Sequence, residues 1–377
     1  MKKNGLYIPF FLLLLVFAAC NNKADKQNSK DKTQGEYTIH YAKGFQVKKY
    51  TDYTEVSVHN PWDTTRLLQK YILIDREKEI PANLPAGTIV KIPLKSVVAY
   101  NTIHCSTLNE LGMVDLIKGV CEPQYVKTEK IKKGVEAGTI VDLGMASKPD
   151  IEKIIMLSPE AILAAPISGQ TYGNVGKTGI PVIETPDYTE PHPLGRAEWI
   201  RFYSLFIDKE QLADSLFNRI AHQYNEIKEA VANATSRPSV FPDTKYQGSW
   251  NMPGGKSFMA NMLADAGGAY VWAEDNSSTF LPLSFETVLD KAGEADLWLI
   301  RYYAPEDMTY KSLEKEFKPY SYFKAFKERN IYGCNTFYSN FYEDLPIHPE
   351  YILMDFAKIF HPELFPDYTL KYYMKMN

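Results

Sequence analysis

The sequence predicts a two-lobed α/β fold, with one long helix between the lobes and an extra β-strand region at the front of the first. Three observations carry this expectation. Residues 208–234 have the apolar spacing of a single long helix. Short apolar strands alternate with helical segments on both sides of that helix, the pattern of parallel sheets. One segment of the first half also recurs in the second.

A chain of 377 residues is long enough for two domains. Its 45% hydrophobic and 23% charged residues are those of a soluble globular protein. A net charge of −4 gives no electrostatic support for a nucleic-acid partner. The 13% aromatic content, with 26 Tyr, is high enough to supply a binding surface as well as a core. Rings offer much contact area with few rotatable bonds.

In chain order, residues 1–20 read as an export signal. Lys2 and Lys3 precede an apolar run over residues 10–19, too short to span a bilayer as a stable helix. The ending Phe17-Ala18-Ala19-Cys20 resembles a bacterial lipobox, which implies that Cys20 is acylated and becomes the first mature residue. The alternative is a plain signal peptide with a chance cysteine. Residues 21–36 are polar and read as a flexible tether. Beyond Cys20 stand Cys105, Cys121 and Cys334, an odd number that leaves at least one thiol unpaired in an exported protein. A Cys105–Cys121 pairing stays open. No CxxC or compact Cys/His set calls for structural zinc.

Residues 37–93 form the extra region, with strands over 45–58, 71–75 and 88–92, expected as an antiparallel addition. Asn60-Pro61 and Pro85-Ala86-Gly87 break them. Residues 94–207 form the first lobe. They supply strands at 96–100, 141–144, 161–165 and 179–184, a helical piece at 107–111, and a helix over 149–157 with Pro149 in its opening turn. Residues 208–236 are the linking helix. Leu212, Leu216, Ile220, Tyr224, Ile227 and Val231 mark one face of it. Asp208 and Gln211 are spaced as a capping box, and Arg237-Pro238 closes it. Its length is about 40 Å at about 1.5 Å per residue. Residues 237–344 form the second lobe, with helices at 257–267 and 285–292 and a buried strand at 297–301. Residues 345–377 hold a helix over 349–360 and an aromatic tail.

The repeat matches residues 149–164 to residues 283–300. Each copy has a glutamate, Glu152 or Glu286, in the first turn of a helix, and a buried strand then opens near Ile162 or Leu297. The helix dipole alone explains one such glutamate, at about 0.3–1 kcal/mol. A duplicated context points to two lobes of similar fold, each presenting one acidic point.

These residues resemble a family. Val141-Asp142-Leu143-Gly144, residues 149–164, Gly179-Ile180-Pro181-Val182, Arg196-Ala197-Glu198-Trp199-Ile200 and the long helix carry the likeness in the first half. Gly254-Gly255-Lys256-Ser257-Phe258, Ser284-Phe285-Glu286, residues 348–353 and His361-Pro362-Glu363-Leu364 carry it in the second. Together they resemble a class III (cobalamin and ferric-siderophore type) substrate-binding lipoprotein of an ABC importer, over residues 94–362. The strands of 37–92 depart from the compact family pattern.

The resemblance implies two Rossmann-like lobes on a stiff linking helix and a ligand in the cleft between them. It implies no enzymatic step, no cofactor and no metal site in the protein itself. It implies a monomer on a lipid anchor in the bacterial periplasm. Glu152 and Glu286 then dock on arginines of an ABC permease dimer. Cleft residues follow the sheet strands, which points to Tyr100, Asn101, His104, Ser168 and Tyr172 in the first lobe. In the second it points to Trp250, Met252, Arg301, Tyr302 and Tyr303. Arg301 suits an anionic chelate, and the rings suit a flat ligand. The expected cargo is a ferric siderophore, with cobalamin or haem as alternatives. A chelatase-like enzyme and a capture lipoprotein without a permease are the competing classes. No GxSxG or HExxH is present, and Gly255-Lys256-Ser257 lacks the leading glycine of a phosphate-binding loop.

Overall fold

The structure is a computed structural model that describes Met1 and residues 33–377, so the lipidation expected at Cys20 lies outside the described residues. Three five-stranded sheets organise it. The first is the extra region, with β1 (Thr33–Glu36), β2 (Phe45–Tyr50), β3 (Thr54–His59), β4 (Leu67–Asp75) and β5 (Thr88–Ile92) in sequential order. The expected run over 45–58 is a hairpin turning at Thr51-Asp52-Tyr53 rather than one strand. The sheet is antiparallel until its last pair, because β4 and β5 run parallel.

The first lobe opens with β6 (Val97–Ala99), α1 (Thr102–Glu110), β7 (Ile117–Val120), α2 (Glu129–Glu136) and β8 (Val141–Asp142). A small hairpin of β9 (Gly144–Met145) and β10 (Lys148–Pro149) follows, then α3 (Ile151–Leu157), β11 (Ala161–Ala164), β12 (Val182–Glu184) and α4 (Pro193–Leu205). Pro149 pairs with Gly144 in that hairpin. Helix α3 therefore starts later than expected, with Asp150 as cap accepting from the Lys153 N–H. The sheet order is β12-β11-β6-β7-β8, all parallel.

The extra sheet is welded to this lobe through α4, in which every residue but Arg196 is buried. The fully buried Glu198 carboxylate accepts from the backbone N–H groups of His40, Tyr41 and Ala42, and pairs with Arg201 at 2.8 Å. Glu190 accepts from the N–H groups of Lys43 and Gly44 and from the Trp199 indole. Gly44 is needed there, since a Cβ would stand 2.6 Å from the Trp199 ring. Phe45 packs on Trp199 and Phe202, with centroids 4.9 and 5.4 Å apart. Burying one such ring stabilises by about 1.5–3 kcal/mol.

The linking helix α5 (Glu210–Ala232) packs on α4 of the first lobe and on α11 (Pro349–Phe360) beside the second. Its buried face holds Leu216, Ile220, Tyr224, Ile227 and Val231 as expected, plus Ala213 and Phe217, while Leu212 is exposed. The capping box is absent. Asp208 has φ 53°, and the N-cap is Lys209, which makes no side-chain capping bond.

The second lobe comprises β13 (Ser239–Pro242), β14 (Trp250–Pro253), α6 (Phe258–Asp265), β15 (Ala269–Tyr270), β16 (Phe280–Leu283), α7 (Phe285–Ala292) and β17 (Leu297–Tyr302). Helices α8 (Tyr310–Glu316), α9 (Lys324–Lys327) and α10 (Phe341–Asp344), with β18 (Ile331–Asn335) and β19 (Met374–Lys375), complete it. Its sheet runs β15-β13-β17-β18-β19, parallel except for the last strand. Cys105, Cys121 and Cys334 are buried and unpaired, so the open pairing does not form. No helix of the described residues is long and apolar enough to cross a membrane.

Candidate functional site

In an open parallel sheet the crevice forms where strand order reverses, at the carboxyl ends of the strands. The first lobe reverses between β6 and β11, and Tyr100-Asn101 and Ala165 stand at those ends. The second reverses between β13 and β17, and Asp243 and Arg301-Tyr302 stand there. A cavity of about 600 Å³ joins the two lobes. Asn101, Glu122 and Tyr125 line it from one side, and Arg301, Tyr303 and Tyr342 from the other. A second cavity of about 810 Å³ lies against the first lobe, bounded by Tyr100, Ile167, Tyr172 and Tyr188. Asn101 and Glu122 line both.

Several expected residues meet here. Asn101 caps α1 by accepting from the His104 N–H at 3.0 Å. The Tyr100 hydroxyl is buried and has no hydrogen-bond partner. Tyr172 donates to Glu184 at 3.0 Å, and burial pushes the Glu184 carboxyl above its usual range. The Tyr302 hydroxyl accepts from the Met308 N–H and donates to Asp307, and Tyr303 is exposed on the rim. The Tyr303 ring meets Tyr125 of the opposite lobe edge-on at 6.4 Å. Ser168 is exposed on the loop after β11 but is not on the cavity wall.

Three expected placements are corrected. His104 is fully buried, its Nε2 lying 3.0 Å from the Thr185 hydroxyl. Burial lowers its pKa to about 3, so it is a neutral core residue. Trp250 is fully buried and donates from Nε1 to the Pro242 carbonyl, within a cluster of Phe241, Trp298, Tyr320 and Phe323. Met252, two residues along the same strand, is also fully buried. Side chains two apart on a strand share a face, and this face meets the core.

Arg301 reaches the cavity already engaged. Its Nε and Nη2 bond both Asp243 oxygens, at 2.9 and 2.5 Å. Burial opposes the guanidinium charge, and the Asp243 charge and hydrogen bonds outweigh it, holding the pKa above its usual value. Such a two-point pair has little charge left for a ligand.

Sequence reasoning missed Glu122, Tyr125, Lys127 and Glu343. Glu343 of α10 is buried and accepts from the Lys127 N–H at 2.5 Å and from the Thr128 hydroxyl at 3.5 Å, tying the lobes beneath the cavity. Glu122 and Tyr125 follow β7, a strand the sequence hides by placing Lys118 and Gly119 among so few apolar residues.

Glu152 and Glu286 are exposed in the first turns of α3 and α7. Their caps are alike, Asp150 accepting from the Lys153 N–H and Ser284 from the Thr287 N–H. Hydrogen bonds from its own N–H and from Ser284 lower the Glu286 pKa.

A sequence model described as periplasmic binding protein matches residues 97–336. An uncharacterised lipoprotein of Methanocaldococcus jannaschii is 27% identical, with 97% of each chain covered. Among solved structures, a protein of an ABC-type Fe3+-hydroxamate transport system from Saccharomonospora viridis is 19% identical. Its TM-score is 0.56, over 71% of this chain and 94% of that one. The molybdate-binding periplasmic protein of Haemophilus influenzae is 15% identical with a TM-score of 0.58, over 74% and 90%. Likeness at these identities shows the fold.

Proposed function

This chain belongs to the periplasmic binding protein family, and from that premise we propose that it captures a metal chelate between its lobes and delivers it to an ABC permease. Members of the family are substrate-binding transport proteins, and the chain is one of these rather than an enzyme. The observation that carries the reading is that both sheets turn their switch points toward one cavity rimmed by exposed tyrosines. Cavities of about 300–1,000 Å³ with convergent polar groups are the usual form of a small-molecule site. An iron chelate is the favoured cargo, because a solved neighbour belongs to a ferric-hydroxamate system. A relative from Bacillus subtilis that matches 38% of this chain is a petrobactin-binding protein. Cobalamin and haem remain the alternatives, the latter named for a neighbour from Pseudomonas aeruginosa.

Glu152 and Glu286 are assigned to the permease contact. Their exposure and matched caps support two carboxylates held at fixed separation, and exposed pairs of this kind contribute about 0–1 kcal/mol each. Weak, directional docking suits a carrier that must leave again. Acylation of Cys20 and a lipid anchor outside the cytoplasm complete the reading, and the lipoprotein relative supports the anchor.

Calorimetric titration of the full chain in detergent, against ferric hydroxamates, ferric catecholates, cobalamin and haem, tests this. Saturable binding of one class, weakened by Tyr303→Ala, is expected. No heat with any of them in a folded protein overturns the reading.

A further inference from the structure

The cavity between the lobes is unusual in how its charges are committed. Three cations border the two cavities: Arg301, Lys127 and Lys148. Arg301 is neutralised by Asp243 through two hydrogen bonds. The Lys127 ammonium donates to the Phe337 carbonyl at 2.8 Å and lies over the Phe337 ring, 5.8 Å from its centroid. Lys148 is exposed and lines the second cavity but not the one between the lobes.

The carboxylates differ. Glu343 is buried and satisfied by Lys127 and Thr128. Glu122 stands where the two cavities meet and makes no ion pair among the described residues. Its backbone has φ 51° and ψ 49°, a left-handed conformation that a non-glycine residue adopts only when its surroundings impose it. Its N–H is held by the Gly144 carbonyl at 2.8 Å, and Pro123 follows at once. The fold thus directs one carboxylate without an ion-pair partner into a cleft where the Arg301 charge is taken up by Asp243 and the Lys127 ammonium is drawn onto the Phe337 carbonyl. Around it stand the exposed rings of Tyr125, Tyr246, Tyr303 and Tyr342, whose faces attract cations.

We infer that the cleft selects a metal complex with no net negative charge, and that Glu122 is the specificity-determining carboxylate that receives the positive end of the ligand. This rests on the cleft being the ligand site. The same chemistry is offered by a ferric trihydroxamate bearing a free ammonium arm and by a corrinoid, whereas a ferric tricatecholate and haem carry net negative charge.

The experiment is calorimetry on the full chain in detergent, wild type and Glu122→Gln. The titrants are an ammonium-bearing ferric trihydroxamate, its N-acetylated neutral twin, a ferric tricatecholate, cobalamin and haem. The wild type should prefer the ammonium form over its twin by about fivefold, the upper range for a solvent-accessible ion pair. It should bind the tricatecholate at least about tenfold more weakly than the twin. In Glu122→Gln the fivefold preference, read as the ratio of the two affinities within that one variant, should vanish. Glu122→Gly, which suits the left-handed backbone, serves if the first variant is poorly folded. In the wild type alone, the preference should shrink between about 50 mM and about 500 mM salt. Tightest binding of cobalamin supports the charge rule and names the corrinoid as source. Tightest binding of the tricatecholate or haem overturns the rule and leaves the carrier reading standing. So does an ammonium preference that survives Glu122→Gln. Absence of binding by every complex overturns both.

Discussion

Replacing Asp243 with Asn should convert the cleft from one that turns anions away into one that accepts them. In the native protein Arg301 and Asp243 are mostly buried, their side chains 16% and 19% exposed, and each spends its charge on the other. The Asn keeps the shape and removes the counter-charge. Two effects follow, with opposite signs. Breaking a fully buried pair from one side costs about 3–5 kcal/mol. Because this pair borders a solvent-filled cavity, about 2 kcal/mol is expected. The freed guanidinium then faces the cavity. At about 4 Å and an effective dielectric constant of about 20, a unit anion gains about 4 kcal/mol in gross Coulomb energy. Desolvation and a longer approach reduce this to about 1–2 kcal/mol, which is about ten- to thirtyfold in affinity. Calorimetry with a ferric tricatecholate reads the gain, the neutral trihydroxamate serves as control, and urea unfolding reads the stability loss. If stability falls as calculated and the tricatecholate affinity does not move, Arg301 does not reach the ligand and the description of the cleft is wrong. If neither changes, the ion pair is not formed.

Other perturbations probe separate links. His348 lies between Glu110 of the first lobe, at 3.4 Å, and Glu350 of α11, at 2.8 Å. Burial opposes its charge, yet hydrogen bonds and attraction from both carboxylates raise its pKa to about 9, and the Glu110 pKa is correspondingly lowered. A raised pKa stabilises fully below the unfolded value near 6.5, and that stabilisation is lost as pH rises through about 9. His348→Gln should therefore cost about 3 kcal/mol at pH 6 and little at pH 10, read as the difference between urea midpoints. Tyr71 on β4 donates to the Val182 carbonyl and accepts from the Glu184 N–H. Tyr71→Phe strands both groups and should cost about 1–3 kcal/mol, with an unchanged urea midpoint counting against the contact. Glu152→Ala with Glu286→Ala should abolish permease-stimulated uptake in reconstituted vesicles and leave calorimetric affinity intact. A collapse of affinity would show that these side chains are misplaced.

The fold was largely legible because its strongest signals are periodic. Helices α7 and α11 begin and end where the sequence places them, each with an apolar face and a clear N-terminal marker, Ser284 or Pro349. Periodicity says less about which way a residue points at the end of an element. His104 comes soon after β6, as cleft residues do, yet it lies in the turn of α1 that also sends Cys105 and Leu108 inward. Trp250 follows a polar loop and was expected at its mouth. It instead opens a strand paired with Phe280–Leu283, and its ring completes an aromatic cluster assembled from distant segments. Glu122 was hidden because β7 has only four residues. At its Gly119 the Leu143 and Leu157 side chains close in to 2.9 and 3.0 Å from where a Cβ would stand, an approach that no local pattern announces.

The ties between the lobes bear on how the carrier signals that it is loaded. Besides α5, the segment around α10 reaches into the first lobe through Glu343 to Lys127 and Thr128, and through Ser106 to the Glu343 carbonyl at 3.3 Å. His348 adds a charged bond to Glu110. Wide opening would break all of these at once, at about 0.5–1.5 kcal/mol for each neutral bond and about 1.5–3 for each charged one. That sum is comparable to a substantial part of a micromolar binding energy of about 8 kcal/mol, so lobe rotation is a costly route to ligand entry. The rim is cheaper to move. Tyr125 and Tyr303 touch only edge-on across the mouth, and both rings are exposed. Ligand entry by swinging these rings would leave the Glu152–Glu286 separation the same in empty and loaded carrier, and the permease would dock both. Small-angle scattering should then show a radius of gyration unchanged by saturating ligand, within about 0.5 Å, while Tyr125→Ala speeds ligand release. Contraction by several ångströms on binding would mean that the α10 ties break in the working cycle and that the lobes do rotate.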